Sequence, residues 1–427
     1  MKISSLFENK LVKGVFVVAT GTAGAQLITI LCSPIITRLY GPELFGLLGS
    51  FTALATILLP LMTFSYSMAV ILPKKESTAI QLAILSLVFA LGWSLVIFIV
   101  LYSSNDILLG YFSLSELDAI EIIISVYVLL LAALEVFTYL ALRKKYFSLN
   151  SKVLLFQSLL SNGLKLGLGS TLDSPITLIA ITTFVTAVSV IIYFCAFRRS
   201  ITEAPIKVIH THYYRALAYK FKDFFKYRTP QRLLAGLNQS LPIILLASLF
   251  GAPAAGFFTL CRSILTMPLN LIAKSVSDVL YPNISERFVS GIPIFGLLLK
   301  STLVLALIGV IPMIILILFS PWLFSAVFGS EWHQAGVYAQ WFSVWLFFNF
   351  INRPCVAAVA VLKFEKVLLV NSIFNTGLVL SAFYLGGALG SDVAAVALFS
   401  IAGIIPQLII IGGVLLKAKR HSQYKSC

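Results

Sequence analysis

Six ionisable residues sit inside long apolar runs: Glu135, Lys165, Arg262, Lys274, Asp278 and Arg353. A charge at hydrocarbon depth costs roughly 2.5–3.5 kcal/mol on insertion scales, so each needs a partner or a watery cavity. Four cations against two acids leave an excess of positive charge among them. Lys274 and Asp278 are four apart and pair along one helix face, which reads as a self-neutralising pair near one helix end. Glu135 reads either as half of a buried structural pair or as an ion-coupling carboxylate. Arg262, Lys165 and Arg353 have no acid nearby in sequence. A guanidinium grips phosphate oxygens with two parallel hydrogen bonds, and an ammonium serves as a point charge. The chemistry open to these three is the holding of a phosphate-bearing anion inside a membrane. Arg353 lies closest to a span end, where a snorkelling role is the alternative.

The elements that must position them carry polar residues at helical spacing. One run has Thr22, Gln26, Thr29, Ser33 and Thr37; another has Gln157, Ser161 and Lys165, with Ser158 and Asn162 beside them. Thr259, Arg262, Thr266 and Asn270 repeat in the same way. Gln231, Asn238 and Gln239 mark a further run, and Tyr338, Trp345, Asn349 and Arg353 another. Small polar residues alone serve to hold helices together. With these cations among them, the stripes point to a shared hydrophilic cavity lined by Arg262, Lys165, Arg353, Gln26, Asn238, Gln239 and Asn270.

Composition sets the class. Of 427 residues, 59% are hydrophobic and only 11% charged, and mean hydropathy is +0.99. A soluble domain is nearer 25% charged. Apolar runs of roughly 20 residues recur along the chain, each enough to cross a bilayer core. The expected fold is an all-α polytopic membrane protein with about twelve transmembrane helices in two parallel six-helix bundles. The expected spans are 14–37, 47–72, 79–102, 119–142, 151–170 and 175–197, then 230–250, 254–280, 294–319, 333–360, 366–388 and 392–416. The N-terminal run follows Lys2, Lys10 and Lys13 but is long and lacks a small-residue cleavage site, so it reads as a retained first helix.

Loop charges orient the chain. The N-terminus, Lys74-Lys75, Arg143-Lys144-Lys145, the 198–229 segment, Arg287, Lys363 with Lys366, and the C-terminal Lys417, Lys419, Arg420 and Lys425 fall on one side. The opposite loops carry Arg38 as their lone cation among Glu43, Asp106, Glu116, Asp118, Glu121, Asp173, Glu331 and Asp392. Cations mark the cytoplasmic side, so both termini are expected there. Residues 1–197 form a first bundle and 230–427 a second with a cytoplasmic tail. The basic linker 198–229 interleaves its cations with Tyr213, Tyr214, Tyr219, Phe221, Phe224, Phe225 and Tyr227, as a membrane-surface segment or a plain topogenic loop would. Internal repetition supports two halves. Leu39-Tyr40-Gly41, four residues and Gly46 recur 210 positions later as Leu249-Phe250-Gly251, four residues and Gly256. Each lies between apolar runs and reads as a tight hairpin turn, glycine supplying positive φ and proline preventing continuation.

Other classes lose support. The net charge of +15 is spread over alternate loops rather than gathered on a soluble face, which argues against nucleic-acid binding. Cys32, Cys195, Cys261, Cys355 and Cys427 are scattered without a CxxC, and His210 and His212 stand two apart in a basic loop, so neither disulfides nor a metal site is expected. No Walker A, GxSxG, HExxH or DxD motif occurs. No catalytic residue and no cofactor are therefore expected.

The segment Pro34-Ile35-Ile36-Thr37-Arg38-Leu39-Tyr40-Gly41-Pro42-Glu43-Leu44-Phe45-Gly46 resembles the first-hairpin signature of bacterial polysaccharide flippases. These belong to the multidrug/oligosaccharidyl-lipid/polysaccharide exporter superfamily and move O-antigen or capsule repeat units. In the second half the likeness rests on Phe225, Tyr227-Arg228, Pro230, Leu233-Leu234, Leu241-Pro242, Phe250-Gly251, Ala255-Gly256-Phe257-Phe258, Arg262, Pro268 and Tyr281-Pro282. The resemblance implies two six-helix bundles around a positively charged central cavity. It implies a substrate of oligosaccharide on undecaprenyl diphosphate, turned from the inner to the outer leaflet by alternating access. It places membrane lipids, and a polysaccharide polymerase and chain-length regulator, among the partners. Arg262 falls within the family-like motif; Lys165 and Arg353 rest on the cavity argument. Acidic coupling residues of some relatives have no match in the first helix, where Gln26 is the central polar group. The rivals are a multidrug or small-molecule exporter of the same superfamily, which would want cavity carboxylates, and a polymerase or ligase, which would want a large external loop.

Overall fold

The computed structural model describes residues 10–104, 107–169, 174–202, 211–290, 292–359, 361–362 and 364–423, and is helical throughout with no strand among them. In lipid a backbone must satisfy its own hydrogen bonds, and apolar runs of this length do so as helices. In order they are α1 (Lys10–Leu39), α2 (Pro42–Thr63), α3 (Tyr66–Ala69), α4 (Glu76–Ser103), α5 (Ile107–Gly110), α6 (Ile120–Arg143), α7 (Phe147–Leu168), α8 (Ile176–Thr202) and α9 (Thr211–Lys220). There follow α10 (Thr229–Phe250), α11 (Ala252–Val289), α12 (Phe295–Phe328), α13 (His333–Ile351), α14 (Arg353–Val359), α15 (Glu365–Ala388), α16 (Asp392–Ala402) and α17 (Ile404–Gln423).

Among the described residues, ten spans are long and apolar enough to cross a membrane, α16 and α17 counting as one. The segment Ser330–Ile351 with α14, bent by 46°, makes an eleventh if read as a single span. The expected twelfth, 151–170, is the 22-residue helix α7, which has the length but not the hydropathy. Gln157, Ser158, Ser161, Asn162 and Lys165 make it too polar. Three expected spans are interrupted. The 47–72 run breaks between α2 and α3, where Phe64 and Ser65 take φ of 46° and 57°. The 333–360 run bends at Asn352, and the 392–416 run breaks at Gly403. In the other direction, α11 runs for 38 residues, past the expected end at 280.

The helices group into two compact units: Met1–Tyr40 with Leu47–Ser240, and Gly41–Gly46 with Leu241–Cys427. In the first, α1 packs along α7, α4 along α6, and α8 against both α6 and α7. The α1–α7 seam is built from small residues and hydroxyls, which let helices approach closely without a hydrophobic driving force. A Cβ on Gly21 would meet Ser151, whose Oγ donates to the Val17 carbonyl at 2.8 Å. Ser158 Oγ donates to Ala25 O at 2.8 Å, and Asn162 Nδ2 to Thr29 Oγ1 at 3.3 Å. These members of the two polar stripes join α1 to α7. The described end of the basic linker docks on the same unit: Leu217 is buried and Tyr66 donates to the Ala218 carbonyl at 3.2 Å.

In the second unit, α12 packs on α13, α11 on α13 and α14, and α15 on α16. Leu303, Leu307, Ile311 and Leu318 of α12 are exposed, the pattern of a helix facing lipid. The repeated turn motifs explain their second glycines here. A Cβ on Gly46 would be driven into the Ala252 carbonyl, and one on Gly256 into the Pro42 carbonyl and the Gly46 amide. The contact is reciprocal: the last glycine of each motif lies against the residue following the first glycine of the other. Gly251 turns at φ 87°, as expected, whereas Gly41 keeps an ordinary negative φ.

Candidate functional site

Each unit carries its own polar constellation. In the first, the break after α2 is surrounded by hydrogen bonds. Glu135 of α6 accepts from Arg232 of α10 at 2.9 and 2.8 Å, one bond to each carboxylate oxygen. Ser67 of α3 donates to the same carboxylate at 2.5 Å, and Thr63 and Ser67 share a bond at 3.2 Å. Thr229 donates to Ser65 at 3.2 Å, both buried. Paired, parallel charge-assisted bonds are the strong geometry for arginine and carboxylate. The pair fastens α6 and α10 to the left-handed Phe64–Ser65 link, a conformation that costs non-glycine residues about 1–2 kcal/mol each. Arg232 is a membrane charge that the sequence reading misses: it stands four residues beyond the π-helical Phe224–Arg228 stretch, close behind the cations of the basic linker.

Lys165 lies half-buried on α7 and has no ion-pair partner among the described residues. Its carbonyl accepts from Tyr40 at 3.0 Å, which ties the end of α1 to α7. Gln26 on α1 is half-buried, and its Oε1 is buried with no hydrogen-bond partner. Asn238 donates to the Leu234 carbonyl at 3.1 Å. Gln239 beside it is exposed.

In the second unit Arg262 is half-buried on α11, its carbonyl accepting from Thr266 at 2.8 Å, and Asn270 two turns on is exposed. Arg353 opens α14 at the bend rather than reaching out past a helix end. Its Nη2 donates to Asn349 Oδ1 at 2.7 Å, while Nε is buried without a partner. Next to it Asn352 donates to Gln407 of α17 at 2.7 Å, and Asn371 of α15 donates to the Pro406 carbonyl at 3.1 Å. Asn352 Oδ1 and Asn371 Oδ1 are buried with no partner. An arginine and two amides thus stand together with unused acceptors and a donor in the interior of this unit. Gln407 and Asn371 belong to no stripe that periodicity revealed. Replacing Gln407 by leucine is expected to strand the Asn352 amide and lower stability by about 1–3 kcal/mol, the cost of an unmet buried polar group. Thermal melting of the detergent-solubilised protein reads the change. Lys274 and Asp278 lie on α11, but their side chains fall outside the described residues, as do His210 and Cys427.

This all-helical architecture has counterparts among solved structures. A multidrug resistance MATE family transporter of the MOP superfamily, in an inward-facing conformation, superimposes with TM-score 0.71 at 14% identity, over 93% of this chain and 96% of that one. The lipid II flippase MurJ in an inward closed conformation gives 0.72 at 14% identity, over 96% and 90%. A MOP superfamily transporter from Pyrococcus furiosus gives 0.62 at 13% identity, over 96% of each chain. The fold is that of the MOP superfamily transporters.

Sequence narrows this further. Residues 35–337 match the family model described as polysaccharide biosynthesis protein. The chain belongs to that family. The teichuronic acid biosynthesis protein TuaB of Bacillus subtilis (strain 168) is 24% identical over 242 residues, 56% of this chain and 48% of that protein. The match thus spans about half of that relative's length.

Proposed function

We propose that the protein turns undecaprenyl-diphosphate-linked oligosaccharide repeat units from the inner to the outer leaflet of a bacterial inner membrane. The route is alternating access, and the product feeds surface polysaccharide: O-antigen, capsule or another exopolysaccharide. The protein acts as a transporter and not as an enzyme. Both termini lie in the cytoplasm, on the side of the basic loops, and a polymerase and chain-length regulator take up the product. The family match supports a polysaccharide precursor as cargo, and a flippase of a lipid-linked precursor shares the fold.

The observation that carries the anionic cargo is Lys165, half-buried on the polar helix α7 with no ion-pair partner among the described residues. An intramembrane cation without a carboxylate is costly unless an anion visits it. Lys165 and Arg262 take the diphosphate, with Arg353 third. Gln26, Asn238, Gln239 and Asn270 offer amides to sugar hydroxyls, and the Glu135–Arg232 pair leaves that carboxylate in a structural role. A cation exporter would place carboxylates where these cations stand.

The test is the leaflet distribution of undecaprenyl-diphosphate-linked repeat units in a deletion strain complemented with variants. Lys165→Ala and Arg262→Ala are expected to leave intermediates on the inner leaflet, while Lys165→Arg clears them. Equal membrane levels of each variant separate this from misfolding. Normal clearance by both alanine variants would overturn the site, and intermediates indifferent to the wild-type gene would overturn flipping.

A further inference from the structure

A second charged site lies in the first unit, away from the residues given a transport role. Where α6 ends and α4 begins, Lys74, Arg143, Lys144 and Lys145 line a pocket of about 540 Å³ with Glu76 as its one acid. Glu76 is engaged by Lys144 at 2.6 Å. Arg143 is fixed by donating to the carbonyls of Val70, Ile71 and Lys74 at 3.3, 2.9 and 3.4 Å. It thereby satisfies the chain end that follows α3 while keeping its charge. Lys74 and Lys145 are exposed and have no ion-pair partner among the described residues.

Two further features bear on the occupant. The pocket sits at the ends of two membrane spans, and exposed apolar side chains adjoin it: Ile71 is 42% exposed and Leu72 59%. Cations above and bare aliphatic surface below match the two halves of a lipid at the interface. The second feature is the backbone at Lys145. The end of α6 closes as a Schellman turn, Tyr146 N donating to Ala141 O at 2.8 Å and Lys145 N to Leu142 O at 3.0 Å. The residue after the helix in this motif takes the left-handed region and is usually glycine. Here it is a lysine at φ 58°.

We propose that this pocket binds the phosphate headgroup of an anionic phospholipid, its acyl chains lying along Ile71 and Leu72. The full-length protein in detergent, titrated with phosphatidylglycerol, phosphatidylcholine or inorganic phosphate and read by native mass spectrometry, tests it. Wild type is expected to retain phosphatidylglycerol over phosphatidylcholine. Lys74→Ala with Lys145→Gly is expected to weaken phosphatidylglycerol about twenty-five-fold, at about fivefold for each lysine near a membrane surface. Lys145→Gly relieves the positive φ, so this variant melts no lower than wild type when Lys145 alone is changed, and its lost binding is not lost fold. Equal retention of the two lipids by wild type, or undiminished phosphatidylglycerol on the double variant, would overturn the proposal. So would inorganic phosphate displacing the lipid at equal concentration, which would make the pocket a site for free anions.

Discussion

Gly46→Val or Gly256→Val is expected to prevent recovery of a folded, monodisperse protein. At each position the new Cβ enters a backbone carbonyl, that of Ala252 or of Pro42. A side chain in the way can rotate, but a carbonyl fixed within a helix cannot, so the helices must separate. Overpacking ordinarily costs about 1–3 kcal/mol, and a clash with fixed backbone belongs to the exceptional class beyond about 4 kcal/mol. Gly92 and Gly377 are internal controls, since a Cβ at either meets nothing within 4 Å. Gly92→Ala and Gly377→Ala are expected to gain about 0.5–1 kcal/mol, as exposed helical glycines do. Size-exclusion profiles and melting of solubilised protein distinguish the two groups. A Gly46→Val protein that melts with wild type would refute the reciprocal contact.

Breaking the Glu135–Arg232 pair is the second large effect. Removing one partner of a buried ion pair costs about 3–5 kcal/mol because the other charge is left uncompensated. The Glu135 side chain is 13% exposed and that of Arg232 27%, so water relieves part of the loss and about 3 kcal/mol is expected for Arg232→Leu. Glu135→Gln retains a hydrogen-bond acceptor for Ser67 but not the charge, and is expected to cost less. The double variant Glu135→Gln, Arg232→Leu should be more stable than Arg232→Leu alone, since the unpaired carboxylate is gone. A double-mutant cycle in melting measurements checks this; additive effects would mean that the pair contributes nothing as a pair.

Hydropathy made most of the fold readable, because apolar runs near bilayer length have few alternatives to helix. It failed where length and polarity disagree, as in α7, where Ser151, Ser158 and Asn162 serve the seam with α1. It also missed breaks without a glycine: Phe64 and Ser65 take left-handed conformations that neither residue type announces. The duplicated turns were legible as a repeat, but spacing alone did not show that their second glycines meet. Among site residues, Lys165, Arg262 and Arg353 stood out as charges in apolar surroundings. The Asn349–Arg353 bond follows from an i, i+4 relation. Arg232 and Glu135 are 97 residues apart and Asn352 and Gln407 55 apart, so no local pattern connects them.

Trp332 lies edge-on to Phe45, with ring centroids 5.1 Å apart at 82°, and to Phe257, at 6.1 Å and 87°. It is 1% exposed, and Phe45 belongs to the short Gly41–Gly46 segment that joins the second unit. The protein therefore contains its own optical probe. With Trp93, Trp322, Trp341 and Trp345 replaced by phenylalanine, the indole of Trp332 emits from an apolar, aromatic setting while that segment is seated. Departure of the segment removes the Phe45 ring and admits water, shifting emission to the red, so each working cycle that unseats the turn can be followed by fluorescence without an attached dye.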